Sequence, residues 1–382
     1  NIFVDLGFAP PSNSYLEKKE LSKFEIFYPL RIFVCNKCFF VQTEDFTKPN
    51  VHFNNNYSYL SSTSKTLLNH SKEFTQRYIK KLSLDNNSLV IEIASNDGYL
   101  LQYFRKKNIP CIGIEPTEPS NTISKNKGIK TIKKFFNYNF SKKLKFKKIK
   151  ADLIIANNVF AHVPDIVDFS KGLKNILSSN GVISIEFPHL MNLIKNFYID
   201  TIYHEHYSYL SIISAQKVLK KAKLKVIDVE NINTHGGSYR ILATHMNNSI
   251  KPNINVKKCL DKEKKFGINK ITIYNNFQPK IVLLKFKILN FLLNLKKQNK
   301  KVAGYGAAAK ASTIINYCGI DNNLIPYIYD SSKAKYNKFL PGSHIPIINS
   351  KLIYKDKLDF LIVFPWNLIG EIKKNNYSLL KN

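Results

Sequence analysis

Acidic residues are scarce in this 382-residue chain: 27 Asp and Glu stand against 58 Lys and Arg, for a formal charge of +31. Arginine is scarcer still, with only Arg31, Arg77, Arg105 and Arg240 beside 54 lysines. A dedicated nucleic-acid groove favours Arg, whose planar fork reads phosphates and bases. The charge therefore reads as codon bias of an AT-rich genome, in keeping with the abundance of Lys, Asn and Ile, though it still attracts anionic ligands. Five cysteines (Cys35, Cys38, Cys111, Cys259 and Cys318) are too few and too scattered for a disulfide framework. No apolar run is long enough to span a membrane, because Lys285 and Lys287 interrupt Ile281–Leu295. The visible start has Asn in place of Met and shows no signal peptide, so the expectation is a truncated start and a reduced, cytoplasmic setting.

What is present suffices for a large core: 44% of residues are hydrophobic and 13% aromatic, which excludes general disorder and leaves room for two or three domains. The chain is organised around Leu89–Leu101, LVIEIASNDGYLL, which reads as strand, tight turn and helix start. Glu92-x-Ala94-x-Asn96-x-Gly98 follows the acidic-x-Gly-x-Gly-x-Gly turn by which Rossmann-type methyltransferases hold S-adenosylmethionine (SAM), with glycine kept only at Gly98. Ala is small, and Asn tolerates positive φ better than most residues. Taken alone, the stretch reads equally well as an ordinary strand-to-helix turn.

An α/β alternation follows, with strand candidates at Cys111–Glu115, Ile129–Ile132, Asp152–Ala156, Val182–Phe187, Lys223–Val229 and Tyr239–His245. Helix-separated strands ending in a hairpin match the seven-stranded sheet of class I methyltransferases. Glu92, Ala94, Ser95, Asn96, Asp97 and Gly98 are then the candidate cofactor loop. Glu115 lies roughly 20 residues on, where a carboxylate accepts ribose hydroxyls. Phe136 is a candidate for the adenine face, with core packing as the alternative, and Asn157 and Asn158 end the fourth strand. Residues 249–298 read as helical, with an amphipathic piece near Pro279–Leu295. A second α/β unit begins at KVAGYGAAAK and continues with strands at Ile325–Tyr329 and Phe360–Phe364; its Gly304-Tyr305-Gly306 turn suits a pyrophosphate or serves as a helix-packing turn.

Residues 1–66 are loop-rich, and Cys35-Asn36-Lys37-Cys38 is a knuckle that offers two of the four ligands a tetrahedral zinc needs. The alternative is two buried thiols. Five of the nine histidines (His162, His189, His204, His206 and His235) fall in NNVFAHVPD, IEFPHL, DTIYHEHYSYL and THGGSYR, mostly after predicted strands. That is the edge of an α/β sheet where ligands collect. His204-Glu205-His206 can also be read as metal ligands, although it lacks the HExxH spacing that puts two imidazoles on one helix face.

The stretches EIASNDGYLL, GIEPT, ADLIIANNVFAHVPD, EFPHL, DTIYHEHYSYLS, HGGSYR, GYGAAAK, LPGSHIPI and PWNL run across nearly the whole chain. In them the sequence resembles the nucleotide-sugar C-methyltransferase family, SAM-dependent enzymes that methylate carbon on keto-deoxysugars. The resemblance implies an α/β architecture: a small N-terminal zinc-binding domain (1–66, truncated), a class I SAM-methyltransferase sheet (67–248) and a C-terminal helical and Rossmann-like lobe (249–382). The sugar nucleotide is held between them. It implies SAM as cofactor and a structural zinc on Cys35 and Cys38, and this chain lacks the family's first C-x-x-C pair. The family's catalytic His corresponds to His206, and Tyr203, Glu205, His162 and Tyr57 match its other active-site positions. His206 is expected as general base, Tyr57, Tyr203 and His162 as enolate and hydroxyl contacts, and Glu205 as the group that orients an imidazole or the sugar. Substrate contacts are expected from His189, His235, Gly236, Gly237, Arg240, Tyr305, Gly306 and Lys310. The expected partner is a nucleotide sugar, with no nucleic acid or membrane and a monomeric or weakly associating chain. The rival readings are an RNA-binding or RNA-methylating protein, a nicotinamide-dependent sugar oxidoreductase and a non-catalytic sugar-nucleotide binder.

Overall fold

The structure is a computed structural model that describes residues 1–46, 49, 53, 59–233 and 236–377. Strands β1 (Ile2–Ala9), β2 (Tyr28–Val34) and β3 (Val41–Thr43) form an antiparallel sheet, and its fourth strand, β9 (Ser208–Tyr209), comes from the middle of the chain. The N-terminal segment thus holds an eight-residue strand where the sequence reads as loop. Register shifts between Ile2 and Val4 and between Asp5 and Phe8 break the period-2 alternation that marks a strand. Residues 35–38 turn from β2 into β3, so the two cysteines do sit on a strand-turn-strand knuckle.

The second sheet contains β4 (Val90–Ile93), β5 (Cys111–Ile114), β6 (Lys130–Ile132), β7 (Ala151–Asn157), β8 (Leu177–Pro188), β10 (Leu224–Ile232) and β11 (Ser238–His245). Its order is β10-β11-β8-β7-β4-β5-β6, parallel except for β11, which runs antiparallel between β8 and β10. This is the class I methyltransferase sheet. All four residues of β4 are buried, as a parallel strand covered on both faces requires. The Lys65–Leu82 helix is capped by the Ser64 side chain and ends at Ser83 in a left-handed conformation.

A third, parallel sheet has the order β14-β13-β12-β15, built from β12 (Val302–Tyr305), β13 (Ile328–Asp330), β14 (Ile347–Asn349) and β15 (Phe360–Val363). The helical region divides into Ile254–Phe266, Ile271–Asn275 and Gln278–Lys297, with Pro279 in the first turn of the last. One apolar core runs from β1 and β2 through Leu190 and Ile213 to these helices and the third sheet. Phe3 meets Tyr274 edge-on at 5.1 Å and packs on Phe277 at 5.0 Å, which ties the start of the chain to its last third. No described helix is long and apolar enough to cross a membrane.

Candidate active site

At the C-terminal edge of the second sheet, β4 runs into a loop in which Ala94, Asn96 and Gly98 all take positive φ: 55°, 48° and 73°. These are the three glycine positions of the methyltransferase turn, so the backbone shape is kept although two glycines are gone. Asn96 is held in it from three sides. Its N–H donates to Glu115 Oε2 (2.9 Å), its Oδ1 accepts from Ser61 N–H (2.8 Å), and its Nδ2 donates to the Tyr59 carbonyl (3.1 Å). At Gly98 a side chain is barred by space as well as φ, since a Cβ would come within 2.5 Å of Ile129 and 2.8 Å of Ser124.

Four buried carboxylates surround this loop: Glu92, Asp97, Glu115 and Glu186. Burial, aided by the charges of Asp97, Glu115 and Glu186, pushes the Glu92 carboxyl well above its usual range. Burial also raises Glu115, against hydrogen bonds from Thr117 Oγ1 and N–H and Asn96 N–H. Glu92 Oε2, Ser95 Oγ, Asp97 Oδ1, Asn157 Oδ1 and Asn158 Oδ1 are buried without a hydrogen-bond partner among the described residues. A site with this many unsatisfied buried acceptors suits a ligand with many donors. SAM, with its ammonium and hydroxyl groups, fits that description.

On the same edge, β7 ends at Asn157 and a short turn brings His162 against His206, with ring centroids 4.5 Å apart. Tyr203 lies on the His206 ring at 4.0 Å, and Phe53 meets His162 edge-on at 5.8 Å. His206 Nδ1 is 2.7 Å from the Thr201 carbonyl oxygen. A carbonyl only accepts, so Nδ1 carries the proton and the lone pair of the neutral ring is on Nε2. The segment is fixed from the N-terminal sheet: Thr43 Oγ1 donates to the His206 carbonyl (2.6 Å), and β3 pairs with β9.

Glu205 turns to a different neighbour. Asn13 Nδ2 donates to both its oxygens, at 2.8 and 3.0 Å, and burial pushes its carboxyl up to about 7 against the hydrogen bonds from Asn13. Tyr15 extends this contact to the third sheet, its hydroxyl donating to the Ala307 carbonyl (2.7 Å) just after the Gly306 turn. Lys335 lies over the Tyr15 ring and donates to the same carbonyl at 2.8 Å and to Asp330 at 3.3 Å. Asn13, Tyr15 and Lys335 gave no sequence signal, because an isolated polar residue in a loop carries no pattern.

Other expected site residues are placed elsewhere. His204 faces the N-terminal sheet, 3.2 Å from the Pro29 carbonyl. The His-Glu-His metal reading is therefore set aside, and among the described residues no group of three or more His, Cys, Asp or Glu could hold a metal ion. Phe136 packs in the core against Phe140, Phe169 and Gly172. Arg240 is 4% exposed and is committed to Glu186 and Glu230, with its guanidinium over the Phe74 ring; His70 completes the group. It serves as an internal ion pair. His189 is buried against Glu263. Lys310 donates to Asp200 (2.8 Å), which also accepts from Trp366 Nε1 (2.8 Å). Gly236 takes φ 82° where a Cβ would strike Trp366, and Gly237 takes φ 103° against Asn192. Gly306 turns at φ 85° beside Pro365, and the half-buried Tyr305 has its hydroxyl pKa raised by burial. Tyr57 and His235 lie outside the described residues.

The Cys35 thiol is exposed, and its pKa is lowered by backbone hydrogen bonds from Cys38 and Lys37; Cys38 is half-buried. Two thiols alone do not close a tetrahedral zinc site, so the described residues do not by themselves fit a structural zinc.

Three families match the chain: a zinc binding domain over residues 1–53, a methyltransferase domain over residues 67–229 and a C-methyltransferase C-terminal domain over residues 233–382. The C-methyltransferase NovU of Streptomyces niveus is 28% identical over 381 residues, covering 99% of this chain and 90% of that protein. Among solved structures, a SAM-dependent methyltransferase from Clostridium acetobutylicum aligns at 11% identity and a TM-score of 0.38, over 47% of this chain and 92% of its own. The magnesium protoporphyrin IX methyltransferase of Synechocystis aligns at 12% identity and a TM-score of 0.37, over 47% and 83%.

Proposed function

This chain belongs to the SAM-dependent C-methyltransferases, and we propose that it methylates a nucleotide-linked keto-deoxysugar on a carbon beside a carbonyl, for deoxysugar or surface-polysaccharide biosynthesis. The observation that carries this reading is the state of His206. Carbon becomes nucleophilic only when a proton next to a carbonyl is removed, and that step needs a base that is unprotonated near neutral pH. The Thr201 carbonyl fixes the tautomer of His206 so that Nε2 holds the basic lone pair. In this mechanism the α-proton passes to Nε2 and the electron pair becomes an enolate. Donors beside it, Tyr203 and His162, hold the developing oxyanion.

When bound, SAM supplies an electrophilic methyl group to that carbon. The rest is positioning: β3 and the Thr201 carbonyl hold His206, and the carboxylate-lined loop holds the cofactor. Glu205, its carboxyl pushed up to about 7 by burial, can hydrogen-bond a sugar hydroxyl. The net charge of +31 favours the approach of an anionic diphosphate.

The test is incubation with SAM and a panel of 4-keto-6-deoxy nucleotide sugars, with mass and NMR analysis of the products. His206→Ala should keep SAM affinity and lose turnover by about 10²–10⁴-fold, as for a missing general base. With SAM replaced by its demethylated product, the wild type should exchange the sugar α-proton for deuterium in D₂O and His206→Ala should not. Exchange at the wild-type rate in the variant would move the base elsewhere, with His162 next.

A further inference from the structure

The segment that carries Tyr203, Glu205 and His206 is an excursion from the second sheet, and one carboxylate from the last third of the chain closes its neck. The chain leaves β8 at His189 and returns at Leu210. These two residues form a parallel bridge, with Leu190 N–H donating to the Leu210 carbonyl at 2.9 Å. Glu263, on the Ile254–Phe266 helix, reaches both ends of the neck. Its Oε1 is 2.6 Å from His189 Nε2 and accepts from Ile212 N–H at 2.6 Å, while Oε2 accepts from Ile213 N–H at 2.9 Å.

Everything in this contact is buried: the Glu263 side chain is 0% and that of His189 1% exposed. A buried carboxylate is retained only where its acceptors are well matched. Here the match is good, since two of its donors are backbone N–H groups at the positive end of the ten-residue Ile212–Lys221 helix. The third is His189 Nε2–H, because a carboxylate only accepts. Between this neck and the catalytic segment lies a cavity of about 20 Å³ lined by His189, Tyr198, Thr201, His206 and Ser208. That is room for about one water molecule, so a shift at the neck has little slack to absorb it before it reaches Thr201 and His206.

We infer that Glu263 is a positioning residue: by clamping His189 to the start of the Ile212–Lys221 helix, it sets where His206 stands against the substrate. The inference rests on His206 as the base. It also gives the Ile254–Phe266 helix a part in the chemistry, although that helix lies beyond the methyltransferase sheet in sequence. The reacting groups need not touch Glu263, because a base displaced by ~1 Å loses up to about 100-fold in rate.

The variants are Glu263→Ala, Glu263→Gln and His189→Asn. Each is assayed for folding by thermal melting, for SAM affinity by calorimetry, and for kcat, KM and α-proton exchange. Glu263→Ala should melt lower, bind SAM with wild-type affinity, and at a temperature well below its melting point show kcat and exchange reduced by about 10–100-fold with KM for SAM unchanged. Glu263→Gln keeps the side chain's shape but a carbonyl for only one of the two helix N–H groups, because Ile212 and Ile213 donate to different oxygens and the amide nitrogen must replace one of them. It should return only part of the lost kcat. A purely structural role would lower the melting point without this kcat loss in the folded enzyme. If Glu263→Ala does not fold, His189→Asn leaves the helix N–H groups satisfied and should still lower kcat and exchange together. Wild-type kcat and exchange in a folded Glu263→Ala, or failing that in His189→Asn, overturn the inference while leaving His206 as base. Exchange surviving in His206→Ala overturns the reading beneath it.

Discussion

Asn13 and Glu205 are 192 residues apart in the chain and joined by two hydrogen bonds, from Asn13 Nδ2 to each oxygen of the carboxylate. Through this contact the N-terminal segment directly meets the segment that carries His206. Burial raises the Glu205 carboxyl from an ordinary 4.5 up to about 7. A group whose folded pKa lies above its unfolded one binds more protons when folded, so stability falls as pH rises between those values. Below about pH 4.5 the group is protonated in both states, and above about pH 7 the full penalty applies, on the order of 3 kcal/mol. Glu205→Gln keeps an acceptor for Asn13 and removes the ionisation. Its stability relative to wild type should rise between pH 5 and pH 8, as measured by urea denaturation at both. A pH-independent difference would mean that Glu205 is not held at a raised pKa.

At the cofactor loop, Ala94 sits at φ 55°, a conformation that costs an L-residue with a Cβ about 1–2 kcal/mol. Glycine relieves that strain but loosens the unfolded chain, so Ala94→Gly should be neutral to about 1 kcal/mol stabilising, with SAM affinity kept. Ala94→Val should fail to bind SAM, because a β-branched residue is poorly tolerated there. Calorimetry on the two variants checks both. Equal affinity in Val and Gly variants would show that the loop does not need this backbone shape.

Glu115 takes three hydrogen bonds, from Asn96 N–H and from Thr117 N–H and Oγ1, and so holds the loop as well as facing the acidic cluster. Glu115→Ala should weaken SAM binding by about 1–3 kcal/mol, from lost charged hydrogen bonds. Unchanged affinity would place the cofactor elsewhere.

Arg240 and Glu186 are 4% and 2% exposed at their side chains, and burial alone would raise the Glu186 carboxyl. His70 and Arg240 outweigh that and hold it below its ordinary value. Arg240→Met should therefore cost about 3–5 kcal/mol, as expected when one partner of a buried pair is removed. Thermal melting reads this loss. A melting point unchanged from wild type would mean that the pair is not buried as described.

The Cys35 and Cys38 knuckle offers two thiolates, so zinc held by this chain alone should be weak and removed by a modest chelator. Metal analysis after chelation is the check. One zinc per chain that survives it, and is lost in Cys35→Ser, would require two further ligands beyond the knuckle.

The sequence by itself determined the elements whose signal is local. Apolar runs bounded by turn residues marked the parallel strands, because a strand covered on both faces must be apolar along its length. Asn96 and Gly98 marked the loop because few residues accept its backbone. The tertiary structure decided the matters that hang on long-range contact. Strand β9 is two residues long, and pairing with β3 from the far end of the chain makes it a strand at all. Arg240 read from sequence as a substrate contact, and its burial beside Glu186 makes it half of an ion pair instead. The sequence left Phe136 between an adenine face and core packing, and in the fold it packs beside Phe140 and Phe169. The tautomer of His206 depends on one carbonyl, and the pKa of Glu205 on burial against Asn13. A residue's type fixes what it can donate or accept, and only its neighbours in the fold fix which of those it does.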